Sequence, residues 1–366
     1  MTEGLSRKEI DPTRPPAARA HRTSSAAWRL IGLLLLLLLA LLLDLSSGSV
    51  RIPIREIFRI LFSHSPGDDT WRFIIEKIRI PKACTAILAG CGLSIGGLQM
   101  QTLFRNPLAD PSVLGITEGA GLGVAAVMLS GGSMATLYSI KELGGAGSWL
   151  ITAAACTGAG LVMILVLALS GRLRDNVMML IIGLMIGSIT VAVTSIWQYF
   201  SNPEEVKDYL LWTFGSLGGV TGNQLIILAV MTFSGLAIAF LSSKMLDALL
   251  LGENYARSMG LTVKRARLII VFSTSLLAGA ITAFCGPIGF VGIAVPHLAR
   301  TVFNTASHRI LMPACCLIGT ILLLLCDCIA QWPGSQTVLP INIITSLVGA
   351  PVVIYMLIRK RNLNTF

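Results

Sequence analysis

Few residues in this chain are equipped for chemistry. Within the long apolar stretches the ionisable side chains that stand out are Glu118, Asp327 and, at one boundary, His297 with Arg300. An ionisable group at membrane depth is by default a candidate for an ion or cargo path. Glu118 therefore reads as facing a path or pairing with a neighbouring helix, Asp327 as structural, and His297 as an interfacial histidine ahead of a proton relay. No GxxxxGK[ST] phosphate loop, HExxH pair or carboxylate-and-histidine cluster accompanies them. The chain is thus read as neither an enzyme nor the site of ATP hydrolysis.

Three segments interrupt the apolar pattern. Gly286, Pro287, Gly289 and Gly292 fall in GPIGFVG, followed by Val295-Pro296-His297-Leu298-Ala299-Arg300. A backbone broken in this way is tolerated at membrane depth only where protein or a water-filled cavity satisfies it. Residues 104–111, FRNPLADP, read as helix, break, helix, with Asp110 as N-cap and Pro111 in the first turn of the next span. Asn106, Pro107 and Leu108 make the alternative reading a gate. On this reading Glu118 lies about 10 Å into the third span. The third segment, Leu251 to Leu261, contains Gly252, Glu253, Ala256, Arg257 and Gly260 and reads as one short amphipathic helix. It either lies on the membrane surface or protrudes to be gripped by another protein, with Gly260 ending it and Ala256 permitting close approach.

The elements that must position these residues are dictated by solvent. Over 366 residues the chain is 54% hydrophobic and 13% charged, against about 25% charged in ordinary soluble domains. Apolar runs mark spans near residues 28–45, 81–103, 112–130, 148–170, 177–200, 223–241, 268–285, 290–302, 311–329 and 339–358, an all-α polytopic membrane protein of about ten crossings. The first is read as a retained helix, not a cleaved signal. Leu88-Ala89-Gly90 recurs as Leu277-Ala278-Gly279, a slight sign of the inverted repeats common in transporters. The eight cysteines lie mostly in apolar runs and read as small packing residues.

The net charge of +10 gathers at helix ends, which points to headgroups and topology, not to nucleic acid. Basic residues in the 1–27 tail, read as disordered, and in the 359–366 tail place both termini in the cytoplasm, as they do the 242–267 loop. The even span number then sets the 46–79 loop outside, with Arg51, Arg55, Arg59, Arg72, Lys77 and Arg79. Positive charge there runs against the usual bias and suggests either an acidic partner or plain solvated surface.

These landmarks together resemble the iron-complex and vitamin B12 permease family of bacterial ABC importers, the FecCD type. The resemblance rests on Arg79-Ile80-Pro81-Lys82, FRNPLADPSVLG from 104, Trp212 to Leu217, the Leu251 to Leu261 segment, GPIGFVG with PHLAR, and Leu339-Pro340 with Gly349-Ala350-Pro351, in the family's order. It implies the large-domain importer permease fold in a bacterial inner membrane. It also implies a second permease subunit, in most cases identical, two ATPase subunits that bind ATP and magnesium, and a periplasmic binding protein; no cofactor is expected in this chain. Leu251 to Leu261 would be the coupling helix, Asn106 and Leu108 would line a gate, and Arg79 with Lys82 would dock acidic residues of the binding protein. Departures include Lys82 and Gln331 where the family has docking arginines, Glu118 for a small polar residue, and Val338-Leu339-Pro340-Ile341-Asn342 for Glu-Leu-Pro-Val-Gly. The cargo expected first is a ferric siderophore, with haem or cobalamin as the same-family alternative. An ion-coupled secondary transporter is a more distant one, which the coupling motif argues against.

Overall fold

The computed structural model describes residues 17–48, 50, 52–62, 69–129, 145–170, 176–220, 222–331 and 338–360, and all regular structure among them is helical. Seven helices are long and apolar enough to cross a bilayer, and three shorter apolar ones, Ile116–Met128, Val291–Phe303 and Ile341–Tyr355, bring the described set to the ten spans read from hydropathy. In chain order the helices are α1 Ala17–Ser46, α2 Ile54–Phe62, α3 Asp69–Ile74, α4 Ile80–Leu103, α5 Ile116–Met128, α6 Gly145–Ser170, α7 Asn176–Phe200 and α8 Pro203–Thr213. They continue as α9 Asn223–Leu241, α10 Ser243–Leu250, α11 Glu253–Ser258, α12 Val263–Cys285, α13 Val291–Phe303, α14 His308–Ala330 and α15 Ile341–Lys360.

The bundle is organised around α4, which packs on α14, α12, α13 and α9. In the most apolar stretch of the α3–α4 helix 83% of residues are buried, against 17% in α1. The sequences explain the difference. α1 is a near-continuous run of leucine that suits lipid, whereas α4 carries Gly90, Gly92, Gly96 and Gly97 with Gln99 and Gln101. Small residues let helix backbones approach closely where no hydrophobic effect drives them together. The same device joins α5 to α6: Gly119 and Gly123 face Ala154 and Gly158 so closely that a Cβ on Gly123 would sit 2.0 Å from the Ala154 carbonyl oxygen.

Some boundaries differ from those expected. Residues 17–27, read as part of a disordered tail, continue α1 as helix, in keeping with their alanine content; residues 1–16 and 361–366 lie outside the described set. The 46–79 segment is largely helical: α2, then α3 joined through a π-helical turn, Ile75–Arg79, to α4. Within it Arg59 pairs with Glu56 and Arg72 with Glu76, so two of its six positive charges are locally neutralised. The Asp110 carboxylate does accept from the Ser112 N–H, at 3.0 Å, but it caps a 3₁₀ turn, Pro111–Leu114. α5 begins only at Ile116, which puts Glu118 in the first turn of that helix.

Gly123→Leu is expected to prevent α5 and α6 from closing. Its cost of about 3 kcal/mol or more would appear as a lowered unfolding temperature in detergent or as loss of monodisperse protein.

Candidate functional site

The residues singled out above gather at the two ends of α4, here the His308 end and the Lys82 end, and at the break between α12 and α13.

At the His308 end α4 stops in a left-handed residue, Arg105 (φ 49°). The Asn106 N–H bonds back to the Gln101 carbonyl and the Arg105 N–H to the Thr102 carbonyl, a Schellman closure completed without glycine. Asn106 then accepts from the Leu108 N–H through its side chain at 3.0 Å, which leaves Leu108 exposed. His297 of α13 meets the Pro107 carbonyl at 2.8 Å, so this histidine holds the loop. Arg300 donates to Gln101 at 2.6 Å, and Gln101 in turn reaches the Ile293 carbonyl. Asn106, Pro107 and Leu108 thus form one braced turn, seated on α13 at the end of α4.

Several backbone groups at the break are satisfied by protein. α13 has 13 residues, about 20 Å of helix against ~30 Å of hydrocarbon, so residues 286–290 sit at membrane depth. Gly286 (φ 73°) bends the chain after α12, and the Cys285 carbonyl accepts from the Ser216 N–H at 2.7 Å. The Gly289 N–H donates to the Asn342 side chain at 3.0 Å, and the Asn342 N–H to the Phe214 carbonyl at 3.2 Å. The 212–217 motif and Asn342 are therefore the partners of the broken backbone. Gly292 then lets α13 cross α4 at Gly97, where a Cβ on Gly97 would lie 1.9 Å from the Gly292 carbonyl oxygen.

At the Lys82 end Arg79, Lys82 and Gln331 do converge, lining one cavity of about 540 Å³ together with Asp44, Asp327 and residues 214–218 and 338–341. Within this chain their contacts run inward. Arg79 is only 6% exposed, and its guanidinium donates to the Leu45 and Val50 carbonyls. The last carbonyls of α1 lack helical partners and carry the negative end of its dipole, and this draws the guanidinium inward. Lys82 pairs with Asp327 at 2.9 Å, and Gln331 donates to the other oxygen of that carboxylate. The basic pair is spent inside the chain and does not face outward.

Glu118 packs against Gly187 of α7, and its Oε2 has no hydrogen-bond partner among the described residues.

The short helix expected between Leu251 and Leu261 is α11, Glu253–Ser258, preceded by a separate helix, α10. α10 and α11 are separated at Gly252, whose φ of 109° belongs to a region other residues rarely enter. α11 ends at Gly260 as expected: the Gly260 N–H bonds to the Arg257 carbonyl and the Leu261 N–H to the Ala256 carbonyl, the paired bonds of a Schellman cap. Ala256, expected to permit close approach of a partner, is fully buried within this chain. Glu253 is likewise directed inward, pairing with Arg267 at 3.1 Å and with Arg257 at 3.2 Å. The surface offered outward is instead Tyr255 and Met259, four residues apart at the end of α11, with Leu251 across the Gly252 break and Arg257 also exposed. Asp247 of α10 accepts from both the backbone N–H and Nδ1 of His308, at 2.9 and 2.6 Å. Burial alone would raise its carboxyl, but these hydrogen bonds and the charges of His308 and Arg309 hold it below the usual carboxylate range.

A ten-span bundle with a protein-satisfied broken helix, a braced loop at one end of its central helix and a separate short helix beyond it is the architecture of a transporter's membrane subunit. Known proteins agree. The FecCD transport family profile matches residues 35–359, and the chain belongs to that family, as a permease of the ABC importer type. It is 34% identical over 350 residues to the vitamin B12 import system permease protein BtuC of Klebsiella pneumoniae, covering 94% of this chain and 97% of that one. The protein of the same name from Escherichia coli O9:H4 is 33% identical, with 94% and 98% covered. A solved structure, an inward-facing conformation of a metal-chelate type ABC transporter, superposes with a TM-score of 0.78 at 27% identity, covering 91% of this chain and 99% of that one.

Removing one partner of the buried Lys82–Asp327 pair is expected to cost about 3 kcal/mol or more. Lys82→Met alone should therefore unfold at clearly lower temperature than Lys82→Met with Asp327→Leu, by thermal denaturation in detergent.

Proposed function

We propose that this chain is the membrane subunit of an importer for a metal chelate of the cobalamin class. The observation that carries this reading is similarity over nearly the whole chain to permeases named for vitamin B12 import. It displaces the ferric siderophore that the sequence alone put first, which is kept as a second reading because the structural relative is described as of metal-chelate type. Cobalamin is itself a cobalt chelate, so the two cargoes share a class.

In this reading the chain lies in a bacterial inner membrane with both termini and the His308 end in the cytoplasm and the Lys82 end outside. A second copy completes the path, and the exposed apolar faces of α7 and α15, including Leu184, Leu347 and Ile354, are surfaces available to it or to lipid. Two ATPase subunits hold ATP and magnesium and seat Leu251, Tyr255 and Met259. Leu108, exposed on the braced loop, faces the inner mouth of the path with Asn106 behind it. A periplasmic binding protein delivers cargo over the cavity at Lys82, where it meets a surface already neutral in charge. ATP-driven closure of the ATPases draws on the α11 segments and changes which mouth is open, the alternating step expected of such a device.

Cells lacking their own cobalamin permease, supplied with this chain, its ATPase and its binding protein, should take up labelled cobalamin faster than a labelled ferric siderophore. Uptake of the siderophore alone would overturn the cargo assignment, and uptake that persists without ATP would overturn the class. Tyr255→Ala with Met259→Ser should weaken association with the ATPase about tenfold or more, since two exposed apolar anchors are lost, as measured by co-purification at graded concentration.

A further inference from the structure

α11 can transmit force only through what ties it to the bundle. Behind it lies α10, which packs on α4 and α14. Leu246 and Leu249 of α10 are buried, but apolar contacts resist separation better than sliding. Directional contacts run alongside them. The Asp247 carboxylate holds the backbone N–H and the Nδ1 of His308, and the Nε2 of that ring lies 2.9 Å from the Thr102 hydroxyl. Thr102 donates back to the Leu98 carbonyl of α4 at 2.9 Å. His308 and Thr102 are fully buried, so no water competes for the bond between them, whereas the Asp247 side chain is partly exposed. The imidazole is held at both nitrogens and cannot rotate without breaking one. A second strand of the same tie is Arg105, which donates to the Leu250 carbonyl at the end of α10.

Thr102 stands two residues before Phe104, where the braced loop begins. The chain Asp247, His308, Thr102 therefore joins the element behind the partner-facing residues to the last turn of α4 and to the first residue of α14. We propose that these three side chains form the linkage that carries movement of α10 and α11 into the 104–108 loop, acting as positioning residues for ATP-coupled opening. The inference rests on the importer reading above. None of the three contacts cargo or nucleotide in this scheme; they act through the helices they join.

The test is stoichiometric. The permease is reconstituted with its ATPase and binding protein in liposomes, and labelled cobalamin and ferric siderophore are measured alongside phosphate release. Thr102→Val, which keeps side-chain volume and removes the hydroxyl, and Asp247→Ala should lower cargo moved per ATP about tenfold, with hydrolysis within about twofold of wild type. Asp247→Asn keeps an acceptor oxygen and should restore most of the ratio. His308→Ala should match Asp247→Ala if it assembles, and Thr102→Val decides the matter if it does not. An unchanged ratio in Thr102→Val and Asp247→Ala overturns the linkage, as does a parallel fall of uptake and hydrolysis, which is what a merely structural role would give. A wild-type complex that hydrolyses ATP and moves neither probe overturns the cargo assignment instead, so the two failures are distinguishable.

Discussion

A peptide N–H or C=O without a partner inside hydrocarbon costs several kcal/mol, and the irregular parts of this chain are arranged around that cost. The α12–α13 break is possible because Ser216 takes the Cys285 carbonyl and Asn342 takes the Gly289 N–H. The left-handed end of α4 is possible because Asn106 and Arg105 return their N–H groups to the last turn. The break is thereby bound to distant parts of the sequence, while the end of α4 closes on its own last turn. At the break, residues that look like local punctuation are long-range contacts, and they fix how α8, α12, α13 and α15 sit together.

That dependence explains what could be read from sequence. The spans were legible because lipid imposes one rule on every crossing helix, and leucine runs or glycine rows state it directly. The break at Gly286 and the end of α11 at Gly260 were legible because glycine at those points has a local backbone cause. The direction in which a side chain points was not. Span parity and the family pattern put Arg79 outward, but the carbonyl end of α1, 34 residues earlier, draws it inward. Ala256 looked like a contact because small residues permit approach, and it does permit approach, to its own chain. That a 3₁₀ turn spends four residues before α5 starts, so that Glu118 falls in the first turn, was not legible either.

Asn342 shows the other side of this. As a departure from the family pattern it pointed to a difference in docking or path lining. In the structure it is the group that closes the backbone of Gly289, so the departure is a substitution of one means of satisfying the break. No spacing rule could have paired residues 53 positions apart; only the requirement that the broken helix be satisfied, applied to polar side chains at neighbouring helix starts, would have raised Asn342 as a candidate.

The ion pair of Lys82 with Asp327 has a consequence for kinetics. A docking surface with unpaired charge gathers its partner from a distance, and its association slows steeply as ions screen that attraction over about 10 Å. Here the lysine is answered by an aspartate 245 residues later in the same chain (327 minus 82), and nearby arginines of α2 and α3 are answered by glutamates a turn away. A partner docking at this end would therefore gain less long-range attraction from Lys82 than from an unpaired lysine, and that share of its association rate would depend less on salt.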